Sequence, residues 1–173
     1  MTQTHHANAH YLDASALTQL VSSSDSTFPL RDFFQANLHF VASSVELASA
    51  ISLLRERRKT NRGTGLGKAL ADEYFAAIRC LLISAWGKHI ELDEVALFDA
   101  VLHEQVGQLA AKHQLPLQDA LQLALLKKHS ASDDATRRAV LITALDGALA
   151  TAARLEGIPV WNCAAEQTPQ WDH

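Results

Sequence analysis

No apolar stretch in this chain approaches the ~20 residues that a membrane-spanning helix needs. The longest run, "CLLISAW" from Cys80 to Trp86, falls well short and follows Arg79. Cysteine is nearly missing too. Cys80 and Cys163 alone give neither a disulfide framework nor metal-type spacing, which fits a reducing cytosol. There is no excess of positive charge: the formal net charge is −4, so any polynucleotide substrate must be steered by a local basic patch against an acidic average. The opening "MTQTHHANAH" lacks the basic and apolar regions of a signal peptide, and a cytoplasmic protein is expected.

Several catalytic signatures are absent as well. "GTGLGK", at 63–68, invites comparison with a phosphate loop, but Arg62 stands where the Walker pattern needs glycine and Ala69 where it needs Ser or Thr. "HEQVG" from His103 has no second histidine four positions on, so it is not a zinc helix. There is no serine-centred nucleophile elbow, and neither cysteine has a histidine beside it in sequence. His5, His6 and His10 could bind a transition metal adventitiously, but a loose leader accounts for them better. Trp86, Trp161 and Trp171 are too scattered for a base-stacking platform and are expected in packing roles.

What is present is an ordinary globular composition. Hydrophobic residues make up 48% of the 173 residues and charged residues 20%, enough for one domain with its own core. The expected organisation is a leader over 1–9, a single domain over 10–165 with a helical extension at about 60–92, and a tail over 166–173.

Short strands are expected at His10–Asp13, in "HFVASS", in "AVLITAL" and in "VWNC". "HIELD" is either a strand or the lead into a helix starting near Asp93. Helices are expected in "ASALTQLVSS", after Pro29, from Val45 to about Lys59, in "KALADEYFAAIRCLLISAW", in "DEVALFDAVLHEQVGQLAAKH", in "QDALQLALLKKH", and from Asp146 until Gly157 and Pro159 stop it. Alternating strands and helices predict an α/β fold whose parallel sheet is covered on both faces. Ligands of such sheets bind at the carboxyl ends of the strands.

Four acids fall at such places: Asp13 in "YLDASAL", Glu46 in "VELASAIS", Asp119 in "LPLQDALQLAL" and Asp146 in "ITALDGALATAARLEGIPVW". An ionised carboxylate near a core is costly unless something pairs with it. Several together repel, and a divalent cation with oxygen ligands relieves the repulsion. Each acid also has a plainer role. Asp13 or Asp146 could cap the helix that follows, Asp119 could complement a helix dipole, and Glu46 could be a solvated surface acid.

These four segments, in this order, resemble the PIN-domain family, in particular the VapC-type toxins of bacterial toxin–antitoxin pairs. "YLDASAL" is similar to the family's opening strand and first acid, "VELASAIS" to its second-acid helix, and "DALQLAL" to the helix that begins with the third acid. "ITALDGALATAARLEGIPVW" is similar to the closing strand, fourth acid and alanine-rich helix. The resemblance runs from about Tyr11 to Trp161. It departs at Lys59 to about Asp93, outside the motif set, and at "HSASDDATRR", which lengthens the interval before Asp146 and leaves Asp133 or Asp134 as substitutes for it.

The resemblance implies a three-layer α/β/α sandwich and a Mg²⁺- or Mn²⁺-dependent ribonuclease. It further implies a homodimer and a cognate antitoxin protein that inhibits it. On that basis Asp13, Glu46, Asp119 and Asp146 are the expected catalytic residues. Asp13, Asp119 and Asp146 would hold the metal, Glu46 would work from outside it or at a second metal position, and Ser15 would hydrogen-bond a carboxylate or a bound water. The basic run Arg55, Arg57, Arg58, Lys59 and Arg62 is either a solvated helix end or a contact for RNA phosphates or an acidic partner segment. The alternatives to a toxin ribonuclease are a non-catalytic PIN-like module that binds RNA or protein, and another Mg²⁺-dependent phosphate-processing enzyme.

Overall fold

The structure, a computed structural model, describes residues 9–21, 29–35, 40–60, 67–87, 89–95, 99–130, 139–145 and 147–169. Five strands form one sheet: β1 (Ala9–Leu12), β2 (Phe40–Ser43), β3 (Ile90–Asp93), β4 (Ala139–Thr143) and β5 (Val160–Asn162). Their order is β3-β2-β1-β4-β5, and every neighbouring pair is parallel. All residues of β1, β2 and β4 are buried, as a parallel sheet covered on both faces requires.

Among the described residues seven helices do the covering: α1 (Ala14–Val21), α2 (Pro29–Gln35), α3 (Ser44–Thr60), α4 (Gly67–Trp86), α5 (Ala100–His113), α6 (Leu117–Ser130) and α7 (Ala148–Leu155). Side chains on a strand alternate between faces, and the core divides accordingly. Leu12, Phe40, Ala42, Ile90, Ile142 and Trp161 meet α1 to α4. Ala9, Tyr11, Val41, Ala139 and Leu141 meet α5 to α7. The result is a three-layer α/β/α sandwich. The mid-chain helix α4 buries Ala77 and Leu81 in the first of these cores. Among the described residues no helix is long and apolar enough to cross a membrane.

Three expectations need correction. Ala9 is no leader residue but the first residue of β1; His10, expected in the strand, is 2% exposed and edge-on to Phe33 with ring centroids 5.2 Å apart. Asp93 does not start a helix but ends β3. The helix opens at Ala100, because the side chain of Asp99 accepts from Val101 N at 2.9 Å and so caps the first turn. The helix expected from Asp146 begins instead at Ala148, with Gly147 at its cap and no side-chain capping bond. Trp161, by contrast, is fully buried as expected and packs edge-on to Phe33 at 4.9 Å.

The end of α7 is built with care. Gly157 has φ 76°, a left-handed conformation that glycine takes without a Cβ penalty. Its N–H donates to the Arg154 carbonyl, and Ile158 N–H to that of Ala153. Glu156 beside it is tied to two other helices. Its Oε1 meets Lys112 Nζ at 2.6 Å and His113 Nε2 at 2.7 Å, and its Oε2 meets Lys127 Nζ. Hydrogen bonds from Lys112, Lys127 and His113 hold the Glu156 carboxyl down to about 2.

Candidate active site

The parallel sheet sends β1 and β2 to the same edge, and each strand turns at once into a helix. Asp13 is the single residue between β1 and α1. Its Oδ1 accepts from Ala16 N–H at 2.7 Å and from the Ser15 hydroxyl at 2.7 Å, so it does cap α1. It is nonetheless 8% exposed. Burial pushes its carboxyl up, while hydrogen bonds from Thr143, Ala16 and Ser15 pull the other way.

At the next strand, Ser43 Oγ accepts from Glu46 N–H at 3.1 Å and caps α3. Serine followed three residues later by glutamate has the spacing of a capping box, in which the glutamate folds back onto its own cap residue. Glu46 crosses to the neighbouring helix instead: its Oε2 accepts from Ala14 N–H, in the first turn of α1, at 2.6 Å. The residue is 4% exposed, so it is not a solvated surface acid. Burial first, then the charges of Asp13 and Asp119, push its carboxyl up to about 7, against hydrogen bonds from Ala14 and Gln118.

Asp119 lies in the first turn of α6. Burial and the charge of Asp13 raise its carboxyl as well. Three of the four predicted acids therefore converge, with Glu46 and Asp119 both feeling the charge of Asp13. Asp146 lies outside the described residues, as do Asp133, Asp134 and Arg62. Ser15 sits at the join between α1 and β4. Besides bonding Asp13, its Oγ accepts from Ala144 N–H at 2.9 Å and lies 3.2 Å from Thr143 Oγ1.

The donors gathered here are carboxylate and hydroxyl oxygens, the chemistry that suits a hard divalent cation. Among the described residues no three histidine, cysteine or carboxylate side chains already stand close enough to hold one ion. That does not count against the fit, because Mg²⁺ uses one or two protein carboxylates and keeps several waters. Cys163 is buried nearby. Burial and the Asp13 charge push its thiol up to about 12, which leaves it a packing group rather than a nucleophile.

The basic run is divided in its contacts. Arg58 lies over the rings of Tyr74 and Phe75, 5.1 and 5.4 Å from their centroids, and Lys59 pairs with Glu56 at 2.5 Å. Arg55 and Arg57 are exposed on α3.

Sequence reading missed three polar partners of the acids, Ser43, Thr143 and Gln118, and Gln122 behind Ser43. Ser43 alone had a signal, its spacing to Glu46. Gln122 is 1% exposed; its side chain meets Ser43 Oγ at 3.5 Å, and its Nε2 has no hydrogen-bond partner among the described residues.

No family model matches the chain, and no curated protein matches it. Among solved structures it is similar to the crystal structure of PAE2754 from Pyrobaculum aerophilum, with a TM-score of 0.55 and 17% sequence identity over 90% of this chain and 91% of that one. At that identity the likeness speaks for the fold alone.

Proposed function

We propose that this protein is a divalent-metal-dependent endoribonuclease of the PIN-domain type, acting as the toxin of a toxin–antitoxin pair. One observation carries the reading: Asp13, Glu46 and Asp119 gather at the edge where β1 and β2 end, so closely that the charge of Asp13 raises the carboxyls of Glu46 and Asp119 and that of Asp119 raises Glu46 further. A fold gains no stability from crowding buried like charges, and perturbed carboxylates in such a place are characteristic of functional sites. The order of the four acidic segments supports the family reading, and with it the antitoxin partner and the homodimer.

Asp13 and Asp119 would hold Mg²⁺ or Mn²⁺, with Asp146 as the third acid of the set. Bound there, the ion would offset charge on the phosphodiester and acidify a water. The chain's own residues do the positioning. Ser15 fixes Oδ1 of Asp13, so the carboxylate presents its other oxygen in one orientation. Glu46 is held at Oε2 by Ala14 N–H and takes or releases a proton near neutral pH, which suits a group that accepts a proton from water. Exposed Arg55 and Arg57 would offer charge to flanking phosphates.

The test is RNA cleavage with Mg²⁺ or Mn²⁺, with and without EDTA, for the wild type and Asp13→Ala. Cleavage that needs the metal and Asp13, and that leaves 5′-phosphate and 3′-hydroxyl ends, supports the reading. Activity that survives EDTA, or 2′,3′-cyclic phosphate products, would overturn it.

A further inference from the structure

A shallow cleft of about 570 Å³ opens beside the acids, between α3 and the start of α6. That volume lies within the ~300–1,000 Å³ of small-ligand sites. Its inner end is formed by Ala14, next to Asp13, and by Gln118, next to Asp119. From there it follows one stripe of α3 through Ala48, Ser49, Ser52 and Leu53.

The lining is informative. Ser49, Ser52 and Gln118 supply neutral hydrogen-bonding groups, while Ala48 and Leu53 supply apolar surface. Leu53 is left 43% exposed. Among the described lining residues the one charged group is Glu56, which is already paired with Lys59. Among the described residues no cation lines this cleft for a phosphate to meet. A flat neutral ring with a polar edge would find both an apolar face and donors and acceptors. Gln118 stands at the junction: its Nε2 donates to Ser49 Oγ at 2.7 Å, and its side chain also hydrogen-bonds Glu46.

We propose that this cleft is the subsite for one unpaired nucleobase next to the scissile phosphate, with Gln118 and Ser49 reading its edge and Ala48 and Leu53 covering its face. The assignment rests on the ribonuclease reading above. A paired base has its Watson–Crick edge occupied, so the subsite selects single-stranded segments. Gln118 is a positioning residue, because a base that takes its amide changes a partner of Glu46. Base identity is thereby felt at the acid cluster.

The experiment is cleavage of a random-sequence single-stranded RNA pool with Mn²⁺, with sequencing of the new ends. The proteins compared are the wild type, Ala48→Trp, which fills the cleft, and Ser52→Leu, which removes a hydroxyl from its wall. Both positions are exposed on α3, and thermal melting checks that both variants fold. The wild type is expected to prefer one base at a fixed position beside the cut. In the variants that preference falls by about tenfold or more in relative kcat/KM, the scale of one base contact. A wild type that cleaves without any base preference, or variants that keep the wild-type preference, would overturn the subsite and leave the ribonuclease reading standing. A uniform loss of cleavage over all sequences would do the same. A wild type that cuts no RNA at all would overturn both.

Discussion

The N–H of Ala14 donates to Oε2 of Glu46 at 2.6 Å, so an acid at the start of α3 completes the first turn of α1. Two helix N-termini, each with unsatisfied N–H groups, are thus joined by one carboxylate. The same bond brings Glu46 beside Asp13, the cap of α1. Capping chemistry and acid clustering are therefore two consequences of one geometry: adjacent parallel strands, each turning directly into a helix at the same edge.

Glu46 makes the metal-free protein less stable as pH rises. Its folded carboxyl lies at about 7, above the ~4.3 of an unfolded glutamate. Between those values the folded state binds more protons than the unfolded state, so stability falls with rising pH and stays lower above 7. The full effect is on the order of 3 kcal/mol. Glu46→Gln keeps an oxygen for Ala14 N–H and loses the charge. Urea unfolding in EDTA at pH 5 and pH 8 should show a smaller loss for the variant than for the wild type. Equal losses would count against a buried, proton-binding Glu46.

Asp13 both caps a helix and joins the acids, and two substitutions separate those roles. Asparagine caps as well as aspartate, whereas alanine costs about 1 kcal/mol. Asp13→Asn should therefore keep the wild-type melting temperature or raise it, while RNA cleavage falls roughly 100-fold or more. Asp13→Ala should lose both. An active Asp13→Asn enzyme would reduce the residue to its capping role.

Ser15 and Thr143 orient rather than react. Ser15→Ala removes one of the two hydrogen bonds to Oδ1 of Asp13 and leaves Ala144 N–H without its acceptor. Cleavage should fall by about 10- to 100-fold, the usual cost of losing a group that orients a ligand, and more Mn²⁺ should be needed to reach half-maximal rate. A rate loss with an unchanged metal requirement would point to folding damage instead.

Glu156 lies far from this chemistry in function. Glu156→Gln should lower stability by about 1 kcal/mol, because Lys112 and Lys127 are both partly in solvent. Cleavage per folded molecule should be unchanged. The carboxyl is held below its ordinary value, so its contribution is present above pH ~4.3 and fades as pH falls toward 2. Acid unfolding of the variant should therefore show a shallower dependence on pH over that range.

Much of the layer structure was legible in particular stretches. "AVLITAL" reads as a strand, and its first five residues form the buried β4. The helical spacing in "VELASAISLLRERRK" gave α3 nearly to the residue. The start of α5 was not legible as periodicity, since apolar residues continue upstream of it. The Asp99 cap decides where that helix begins. Ala9 looked like the end of a polar leader because its neighbours are polar, yet it pairs with Ala139 in the sheet.

For the site, the sequence by itself determined which acids follow strands or open helices, because that depends on local order along the chain. It could not determine how those acids meet. Glu46 has the spacing to cap its own helix, and only the packing of α1 against α3 turns its side chain toward Ala14. Thr143 and Gln118 carry no motif and enter through neighbours distant in the chain, whereas the Ser15 bond to Asp13 is local and was expected. The tertiary structure decided those contacts because the β3-β2-β1-β4-β5 order sets β1 between β2 and β4, bringing the ends of three strands and the first turn of α6 to one place. Burial there then changes the charge state of groups that would be ordinary carboxylates in an unfolded chain.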